Sequence, residues 1–264
     1  MGLRRDSGAR KSLKALPVAF QDHFSGHAAA YADARPGYPD DLFAWLAAQS
    51  HGHQLAWDAG CGNGQASVAL AGYFDSVVAS DPSEAQIASA MANERVRYFV
   101  AAAEESGLPG CCADLITVAQ AYHWFDTARF CAESRRVLKP GGLIAVWSYA
   151  QSEVSPDVDR VFNELHDVRL AQDWPSGRDH VVNRYRDLPF DVDRIATPAF
   201  EMRSEWNLHQ YLAYLRSWSA SQRHLARTGR DAVQEISDEM REAWGEPGLA
   251  RIVRWPLLVL AGRP

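Results

Sequence analysis

Long apolar runs, paired cysteines and a surplus of basic residues are all missing from this sequence of 264 residues. No apolar run approaches the roughly 20 residues that a membrane-spanning helix needs, so no membrane partner is expected. No apolar stretch follows Arg4 and Arg5, so no secretory signal is predicted. The four cysteines lack metal-ligand spacing, and Cys111 and Cys112 are adjacent, which is a poor disulfide framework. These absences predict a cytoplasmic protein with reduced thiols and no bound metal.

Charge is divided unevenly along the chain. Residues 1–16 carry a net charge of +4, and because the whole chain carries −6, the remainder stands at −10. Contact with nucleic-acid phosphates needs clustered Lys and Arg, so an acidic body argues against a nucleic-acid partner. We predict a disordered tail over 1–16 and a single domain over 17–264. The sequence makes no prediction of oligomeric state.

Strand and helix patterns alternate through the first part of the domain. Strands are predicted at 54–59, 76–80, 96–102, 114–121 and 143–149, with helices at 41–48, at 65–74, after Ser83 and at 127–138. Such alternation implies parallel strands joined by right-handed crossovers, with helices on both faces of the sheet. The expected fold is therefore α/β, with a doubly wound, mostly parallel, seven-stranded sheet.

The pattern changes after residue 150. Helices are predicted from Ser155 to about 170, at 208–227 and at 231–244, a loop-rich segment at 173–194, and strands at 198–206 and 251–261. Pro256 lies within the last strand, which favours a sheet edge or a bulge there. We interpret 151–245 as a region that contains a helical cap or substrate-binding insertion.

The most specific motif lies between the first strand and the next helix. It reads Asp58-Ala59-Gly60-Cys61-Gly62-Asn63-Gly64, and its glycines permit a tight turn and close approach of backbone N–H groups to a ligand. A carboxylate two positions before the first glycine suits a cationic amino group better than a pyrophosphate. Asp81 ends the second strand, where a carboxylate can accept hydrogen bonds from both ribose hydroxyls. An NAD fingerprint requires glycine at position 65, where this chain has Gln65.

From about Phe24 to Tyr149 the chain resembles class I S-adenosylmethionine-dependent methyltransferases. The resemblance rests on the glycine motif with Trp57 before it, Asp81-Pro82-Ser83, Ala103-Glu104, Leu108-Pro109, Asp114-Leu115-Ile116 and Leu138-Lys139-Pro140-Gly141-Gly142. It implies S-adenosylmethionine as the cofactor, with its ammonium group near Asp58 and its carboxylate facing the amides of the glycine loop. The cofactor-binding residues that we predict are Tyr31, Arg35, Asp58, Gly60, Cys61, Gly62, Asn63, Gly64, Asp81, Pro82, Ala102, Ala103, Glu104 and Gln120.

For some of these residues, a purely structural role is the alternative to cofactor binding. Many relatives have Asp at the place of Ala102, so adenine would here be recognised by backbone groups alone. Gln120 ends the fourth strand, where it either lines the cofactor beside the reacting methyl group or makes only strand-end hydrogen bonds. Arg35 either pairs with a carboxylate of the cofactor or substrate, or forms a salt bridge that fixes the N-terminal segment.

A narrower resemblance, to a branch related to trans-aconitate methyltransferases, is carried by three segments: 121–126, 31–39 and 211–219. It implies a small-molecule acceptor, methylated on a carboxylate or hydroxyl oxygen. His123 is the candidate general base or acceptor-orienting donor, with a buttress of the loop as the alternative. Trp124 and Trp218 are candidate substrate residues, with core packing as the alternative. Arg216 and Arg223 are expected to share a face of the 208–227 helix.

Two further interpretations remain open at this point. A nicotinamide-dependent oxidoreductase would also need a glycine loop and a carboxylate after the second strand, although Gln65 argues against it. A non-catalytic protein that binds S-adenosylmethionine would keep the same loop. A nucleic-acid methyltransferase is not expected, because the chain has no Asn-Pro-Pro-Tyr or Asp-Pro-Pro-Tyr run.

Overall fold

The computed structural model describes residues 36–264, and within them it contains eight strands. These are β1 (Leu55–Ala59), β2 (Ser76–Asp81), β3 (Val96–Val100), β4 (Ala113–Ala119), β5 (Leu138–Ser148), β6 (Asp193–Arg194), β7 (Phe200–Trp206) and β8 (Arg251–Arg263). Their spatial order is β3-β2-β1-β4-β5-β8-β6, with β7 also paired to β8. Strands β1 to β5 pair in parallel, whereas β8 is antiparallel to its three neighbours. The structure confirms the predicted doubly wound, mostly parallel sheet. The sheet has eight strands where seven were predicted, and the two-residue β6 is one of them.

The strands divide their side chains between two cores. Ala56, Leu115 and Ala145 lie in one core together with α1 (Asp40–Gln49) and α2 (Gln65–Leu70). The next residue of each strand, Trp57, Ile116 and Val146, lies in the other core, with α4 (Thr127–Val137). Successive side chains of a strand point to opposite faces, so both faces of the sheet are covered by helices.

The remaining helices are α3 (Glu84–Ala88) and those that follow β5. The latter are α5 (Pro156–Asn163), which continues as a π-helix (Glu164–Arg169), α6 (Arg178–Val182), α7 (Leu208–Arg216), α8 (Ser219–Thr228), α9 (Ala232–Glu235) and α10 (Ser237–Trp244). A short 3₁₀ helix (Tyr122–Trp124) follows β4. Within residues 36–264, none of the helices is both long and apolar enough to cross a bilayer.

The single helix predicted over 208–227 is wrong, because the chain turns between α7 and α8. Trp218 has an extended backbone (φ −67°, ψ 141°) and its side chain is buried. Ser217 Oγ donates a hydrogen bond to the Tyr214 carbonyl oxygen at 2.7 Å, which closes the end of α7. Arg216 and Arg223 therefore do not share one continuous helix face, and Arg216 Nε instead donates to Asp231 Oδ2 at 2.9 Å. The helix predicted over 231–244 is likewise divided, at Ile236.

The last strand changes partners along its length. Its first part pairs with β7 from Arg251 to Leu257, and the next residues, Leu258 to Gly262, pair with β5. Pro256 stands opposite Glu201, two residues before β8 first pairs with β5. Proline has no N–H to donate, so it is tolerated beside this change of partners.

Asp114 ties together the end of the sheet at which β1 begins. Its Oδ2 accepts hydrogen bonds from the backbone N–H groups of Gln54 at 2.9 Å and Leu55 at 3.0 Å. Its Oδ1 accepts one from Lys139 Nζ at 2.8 Å. Burial alone would raise the pKa of Asp114, but Lys139 and the two N–H donors hold that pKa below its usual value. The carboxylate thus stabilises the fold in its ionised form.

We expect Asp114→Ala to lower the free energy of unfolding at pH 7 by about 1–3 kcal/mol, because its donors lose their acceptor. Because its pKa is lowered by folding, ionised Asp114 contributes stability above the unfolded-state pKa of about 4, and this contribution is lost in more acidic solution. The difference in stability between the variant and the wild type should therefore be smaller at acidic pH. Urea unfolding at pH 7 and pH 3.5 measures this. Asp75→Ala, at an exposed position, is the control and should stay within about 0.5 kcal/mol of wild type. Equal losses in both variants would contradict the role of Asp114.

Candidate active site

The predicted site residues meet where the parallel strands end. The strand order reverses between β1 and β4, and ligands of doubly wound sheets bind beyond the carboxyl ends of strands at such a point. The glycine loop follows β1, Asp81 ends β2, and Gln120 follows β4. The predicted clustering of these motifs thus agrees with the topology.

The glycine loop is anchored to β2 by its own backbone. The N–H groups of Gly60 and Cys61 donate to the Ser80 carbonyl oxygen at 2.8 and 3.0 Å. Gly60, Gly62 and Gly64 all have positive φ, at 68°, 54° and 89°, a region that favours glycine. These glycines let the chain turn sharply directly after β1.

The loops after β1 and β4 touch at Gly60. A Cβ atom placed there would lie 2.7 Å from the Ala121 Cβ and 3.0 Å from the Phe125 ring. At Gly64, a Cβ would overlap the Tyr98 side chain, whose hydroxyl donates to the Met91 carbonyl oxygen at 2.8 Å. Glycine at these two positions is therefore required by packing as well as by φ.

Asp81 fixes the position of the next turn. Its Oδ2 accepts from the Gly62 N–H at 3.0 Å, and its Oδ1 accepts from the Ser83 N–H at 2.9 Å. Ser83 Oγ in turn accepts from the Gln86 N–H at 3.3 Å and caps α3, as the capping spacing predicts. Pro82 lies between them and is half-buried. One carboxylate thus orients both the glycine loop and the start of α3.

Asp58 lies beneath this loop and is fully buried. Ser67 Oγ donates to its Oδ2 at 2.6 Å, and Thr117 Oγ1 donates to its Oδ1 at 2.9 Å. Burial raises the pKa of Asp58 to about 6, although the two hydroxyls act against this and Asp81 adds to it. The structure therefore places Asp58 among β1, α2 and β4, and its predicted contact with a cofactor ammonium stays a prediction.

The other residues of the loop make local contacts. The Gly64 N–H donates to the Cys61 carbonyl oxygen at 2.9 Å, and the Met91 N–H donates to the Asn63 carbonyl oxygen at 2.9 Å. Burial raises the pKa of the Cys61 thiol, which therefore stays protonated. All four cysteines have free thiols. In the part of the chain that the structure describes, no group of three or more His, Cys, Asp or Glu side chains is arranged to hold a metal ion.

The loop after β3 carries the residues predicted near adenine. Ala102 is exposed and Ala103 is buried. Glu104 Oε1 accepts from the Asp126 N–H at 2.7 Å, beside the start of α4. This contact connects the loop after β3 with the segment after β4.

Gln120 has an uncommon backbone conformation for its residue type, with φ at 57°. Its N–H donates to the Trp147 carbonyl oxygen at 2.9 Å, and its Nε2 donates to the Tyr149 carbonyl oxygen at 3.2 Å. The strand-end hydrogen bonds are thus present. Outliers of this kind cluster at functional sites, which fits the position of Gln120 beside the glycine loop.

His123 lies next to Tyr185, which was not among the predicted site residues. Its Nδ1 lies 3.0 Å from the Tyr185 hydroxyl oxygen. Burial lowers the pKa of His123 to about 3, and the positive charges of Arg178 and His180 add to this. The imidazole is therefore neutral at physiological pH, which makes it a weak general base.

The two candidate substrate tryptophans lie in different surroundings. Trp124 belongs to the 3₁₀ helix, and a Cβ atom placed on Gly177 would lie 3.3 Å from its ring. Trp218 is buried among aromatic rings, with centroids 5.3 Å from Phe162 and 5.4 Å from Trp174. The structure thus shows Trp218 packed in the core, which is the alternative to a role in substrate binding. Tyr31 and Arg35 lie outside the described residues.

The segment between residues 174 and 185 also contacts the site, although no residue in it was predicted to do so. Arg178 Nη2 donates to the Ala150 carbonyl oxygen, just after β5, and Tyr185 reaches His123. No periodic pattern or known motif marks this segment, so only its place in the fold reveals its contacts with the site.

Comparisons with known proteins agree with this architecture. Residues 57–146 match the family described as a methyltransferase domain. A Dictyostelium discoideum protein described as a methyltransferase is 32% identical over 234 residues, which cover 86% of this chain and 88% of that protein. A Saccharomyces cerevisiae protein described as an S-adenosylmethionine-dependent methyltransferase is 32% identical over 226 residues, which cover 72% and 77%. A solved structure described as a type II methyltransferase from Anaeromyxobacter dehalogenans is 45% identical, has a TM-score of 0.82, and covers 87% of this chain and 97% of that one.

A glycine loop after β1 and a carboxylate at the end of β2 define an α/β protein that binds a nucleoside-containing cofactor. Within that class, the chain belongs to the class I S-adenosylmethionine-dependent methyltransferases. Membership of this family excludes the interpretation as a nicotinamide-dependent oxidoreductase.

We expect Gly64→Ala to lower the free energy of unfolding by about 1–3 kcal/mol, because alanine is strained at this positive φ and would overlap Tyr98. Urea unfolding at pH 7 measures the loss. Gly248→Ala is the matched control, since its Cβ would enter open space, and should stay within about 0.5 kcal/mol of wild type. A double-mutant cycle with Tyr98→Ala separates overlap from backbone strain. An unchanged stability of Gly64→Ala would show that the turn tolerates a side chain.

We expect His123 to stay neutral in the folded protein from pH 8 down to about pH 4, as measured by nitrogen-15 NMR of the imidazole. A histidine with a lowered pKa binds fewer protons folded than unfolded, so its contribution is lost as pH falls from about 6.5 toward about 3. The His123→Gln variant should therefore lose about 1–2 kcal/mol less stability than wild type between pH 7 and pH 5. His209→Gln, at an exposed position, should behave as wild type. Titration of His123 near pH 6.5 would refute this.

Proposed function

We propose that the protein transfers the methyl group of S-adenosylmethionine to an oxygen atom of a small-molecule acceptor, and that this oxygen belongs to a carboxylate. The observation that carries the proposal is the glycine turn, in which three glycines have positive φ and the contacts at Gly60 and Gly64 leave no room for a Cβ atom. Such a cradle of backbone suits the aminocarboxypropyl end of the cofactor, and Asp81 lies where ribose hydroxyls bind in doubly wound folds. The residues present therefore fit this cofactor.

The roles that we assign along the cofactor follow the order of the loops. The glycine loop faces its carboxylate through the Asn63 amide, because the Cys61 and Gly62 N–H groups already donate to Ser80 and Asp81. The buried charge of Asp58 attracts its ammonium group, and Asp81 binds the ribose. Pro82 and the loop after β3, through Ala102, Ala103 and Glu104, bind the adenine. Gln120 lies beside the reacting end, and Tyr31 and Arg35 approach the cofactor carboxylate. These roles are supported by the shared position of the loops at one edge of the sheet.

When bound, the cofactor supplies a methyl group on a sulfonium, which leaves as a thioether while the new bond to the acceptor oxygen forms. The protein has to align the acceptor with this carbon and to exclude water. Because a carboxylate is already ionised at neutral pH, no proton has to be removed from it. The low pKa of His123, caused first by burial, favours a carboxylate over a hydroxyl acceptor. The resemblance to carboxylate-methylating relatives of trans-aconitate methyltransferases points the same way.

We expect S-adenosylmethionine and S-adenosylhomocysteine, but not NAD, to bind the purified protein in calorimetry. Asp81→Ala should weaken both by at least tenfold, or about 1.4 kcal/mol, because it removes the ribose acceptor and releases the Gly62 and Ser83 N–H groups. Asp75→Ala is the matched control and should bind as wild type. Binding of NAD alone, or of nothing by demonstrably folded protein, would overturn the proposal.

The acceptor atom is tested with cofactor that carries a tritium-labelled methyl group and a panel of aliphatic and aromatic carboxylic acids and phenols. A carboxyl methyl ester is cleaved by alkali to volatile methanol, whereas a methyl ether is stable, so alkali-labile volatile label is the expected result. Stable label on a phenol would replace the carboxylate by a hydroxyl acceptor. Tight cofactor binding without transfer to any acceptor would favour the non-catalytic alternative.

A further inference from the structure

Tyr185 is held in a turn whose backbone conformation its residue type seldom adopts. The turn follows α6, and both Arg184 and Tyr185 have positive φ, at 57° and 55°. This region is uncommon for residues other than glycine, and most of all for bulky side chains. The Tyr185 N–H donates to the His180 carbonyl oxygen at 2.8 Å, which closes the turn. Such conformations persist where the surrounding structure fixes them, and they cluster at functional sites.

The hydroxyl of this buried tyrosine contacts His123. The Tyr185 ring packs edge-on against Tyr122, with centroids 5.6 Å apart, and its hydroxyl oxygen lies 3.0 Å from His123 Nδ1. Burial raises the pKa of Tyr185. The Ser148 hydroxyl, which lacks a hydrogen-bond partner of its own in the described chain, acts against this rise as a donor would. Because a buried hydroxyl is expected to find an acceptor, the Tyr185 O–H donates to His123 Nδ1.

This hydrogen bond determines which nitrogen of His123 carries the proton. Burial lowers the pKa of His123, and the positive charges of Arg178 and His180 add to this, so the ring is neutral at physiological pH. A neutral imidazole has one N–H donor and one acceptor nitrogen. Because Nδ1 accepts from the Tyr185 hydroxyl, the ring proton lies on Nε2.

The 3₁₀ helix that carries His123 lies between the glycine loop and the segment around Gly177. Ala121 and Phe125, on either side of this helix, pack so closely on Gly60 that a Cβ atom there would lie 2.7 and 3.0 Å from them. A Cβ atom on Gly177 would lie 3.3 Å from the His123 ring. Within residues 36–264, His123 Nε2 forms no hydrogen bond, and it is not one of the fully buried polar atoms without a partner, so it stays accessible.

We propose that Tyr185 is a positioning residue that holds His123 in its Nε2–H form, and that this N–H donates a hydrogen bond to the carboxylate of the acceptor. The inference rests on the proposed function and makes His123 a donor that orients the acceptor, not a base. A carboxylate has about four lone-pair positions, so one that accepts from Nε2–H keeps others for attack on the methyl carbon. His123 keeps its proton throughout, because an ionised carboxylate has none to give. The opposite tautomer would present a lone pair at Nε2 and repel a carboxylate.

Nitrogen-15 NMR of the histidine-labelled full chain, with saturating S-adenosylhomocysteine, reads the tautomer directly. We expect Nε2 of His123 to be protonated and Nδ1 to be unprotonated, with His123→Gln used to assign the signals. Tyr185→Phe removes only the hydroxyl and should shift the Nδ1 resonance, because Nδ1 loses its donor. Tyr211→Phe removes another buried hydroxyl, which bonds to Ser152 Oγ at 3.0 Å, and should leave the His123 signals unchanged.

Acetate is the probe for the donor role, because it is small enough to enter a site that takes a larger carboxylate. Methylammonium, which has donors but no acceptor, is the counterpart at the same ionic strength. With S-adenosylhomocysteine bound to the wild-type protein, acetate should shift the Nε2–H resonance and methylammonium should not. In Tyr185→Phe the apparent affinity for acetate should fall about fivefold, the effect of roughly one weakened hydrogen bond. The affinity for S-adenosylhomocysteine should be unchanged in both tyrosine variants.

The outcomes separate this inference from the proposed function. Failure of S-adenosylhomocysteine to bind folded wild-type protein overturns the proposed function itself. With S-adenosylhomocysteine bound, the inference is overturned by a protonated Nδ1 with an unprotonated Nε2, or by an Nε2–H resonance that acetate does not move. It is also overturned if Tyr185→Phe leaves the Nδ1 resonance at its wild-type position. The first two results come from wild-type protein, so they decide the inference even if Tyr185→Phe fails to fold.

Discussion

The site depends on one backbone interaction, the anchoring of the glycine loop to the Ser80 carbonyl oxygen by two N–H groups. Ala59 and Ser80 are partners in the β1–β2 pairing, so this anchor continues the sheet by one step beyond its last paired residues. The chain must then turn away sharply, and the positive φ angles of the glycines allow it to do so. Because the turn is attached to the sheet, its amides are presented at a defined place instead of on a mobile loop.

Charged side chains of opposite sign lie on different sides of this edge of the sheet. Two buried carboxylates, Asp58 and Asp81, lie on the side of β1 and β2, where the cationic end and the ribose of the cofactor are proposed to bind. Arg178 lies on the side of β4 and β5, where its Nη2 donates to the Ala150 carbonyl oxygen. The burial of Asp58 is offset by hydrogen bonds from Ser67 and Thr117, which is how proteins reduce the cost of a buried charge.

The matched family model covers the part of the chain that carries the glycine loop and the ends of β1, β2 and β4. The matched domain family covers residues 57–146, which end within β5. The segment with Trp174, Arg178 and Tyr185 lies beyond that match. The family model therefore accounts for the glycine loop and Asp81, but not for this segment.

The sequence by itself determined the central sheet, the glycine turn and the capping of α3 by Ser83, because these follow from residue patterns within a few positions of one another. Only the tertiary structure decided the break at Trp218, where burial among aromatic rings overrides a continuous helical pattern. It also decided that Asp58 is enclosed by hydroxyls, that Arg178 reaches the segment after β5, and that Tyr185 reaches the loop after β4. Those contacts join residues as far apart as 62 positions, as between His123 and Tyr185, and no local pattern encodes them. They exist because the sheet brings distant strand ends to one edge.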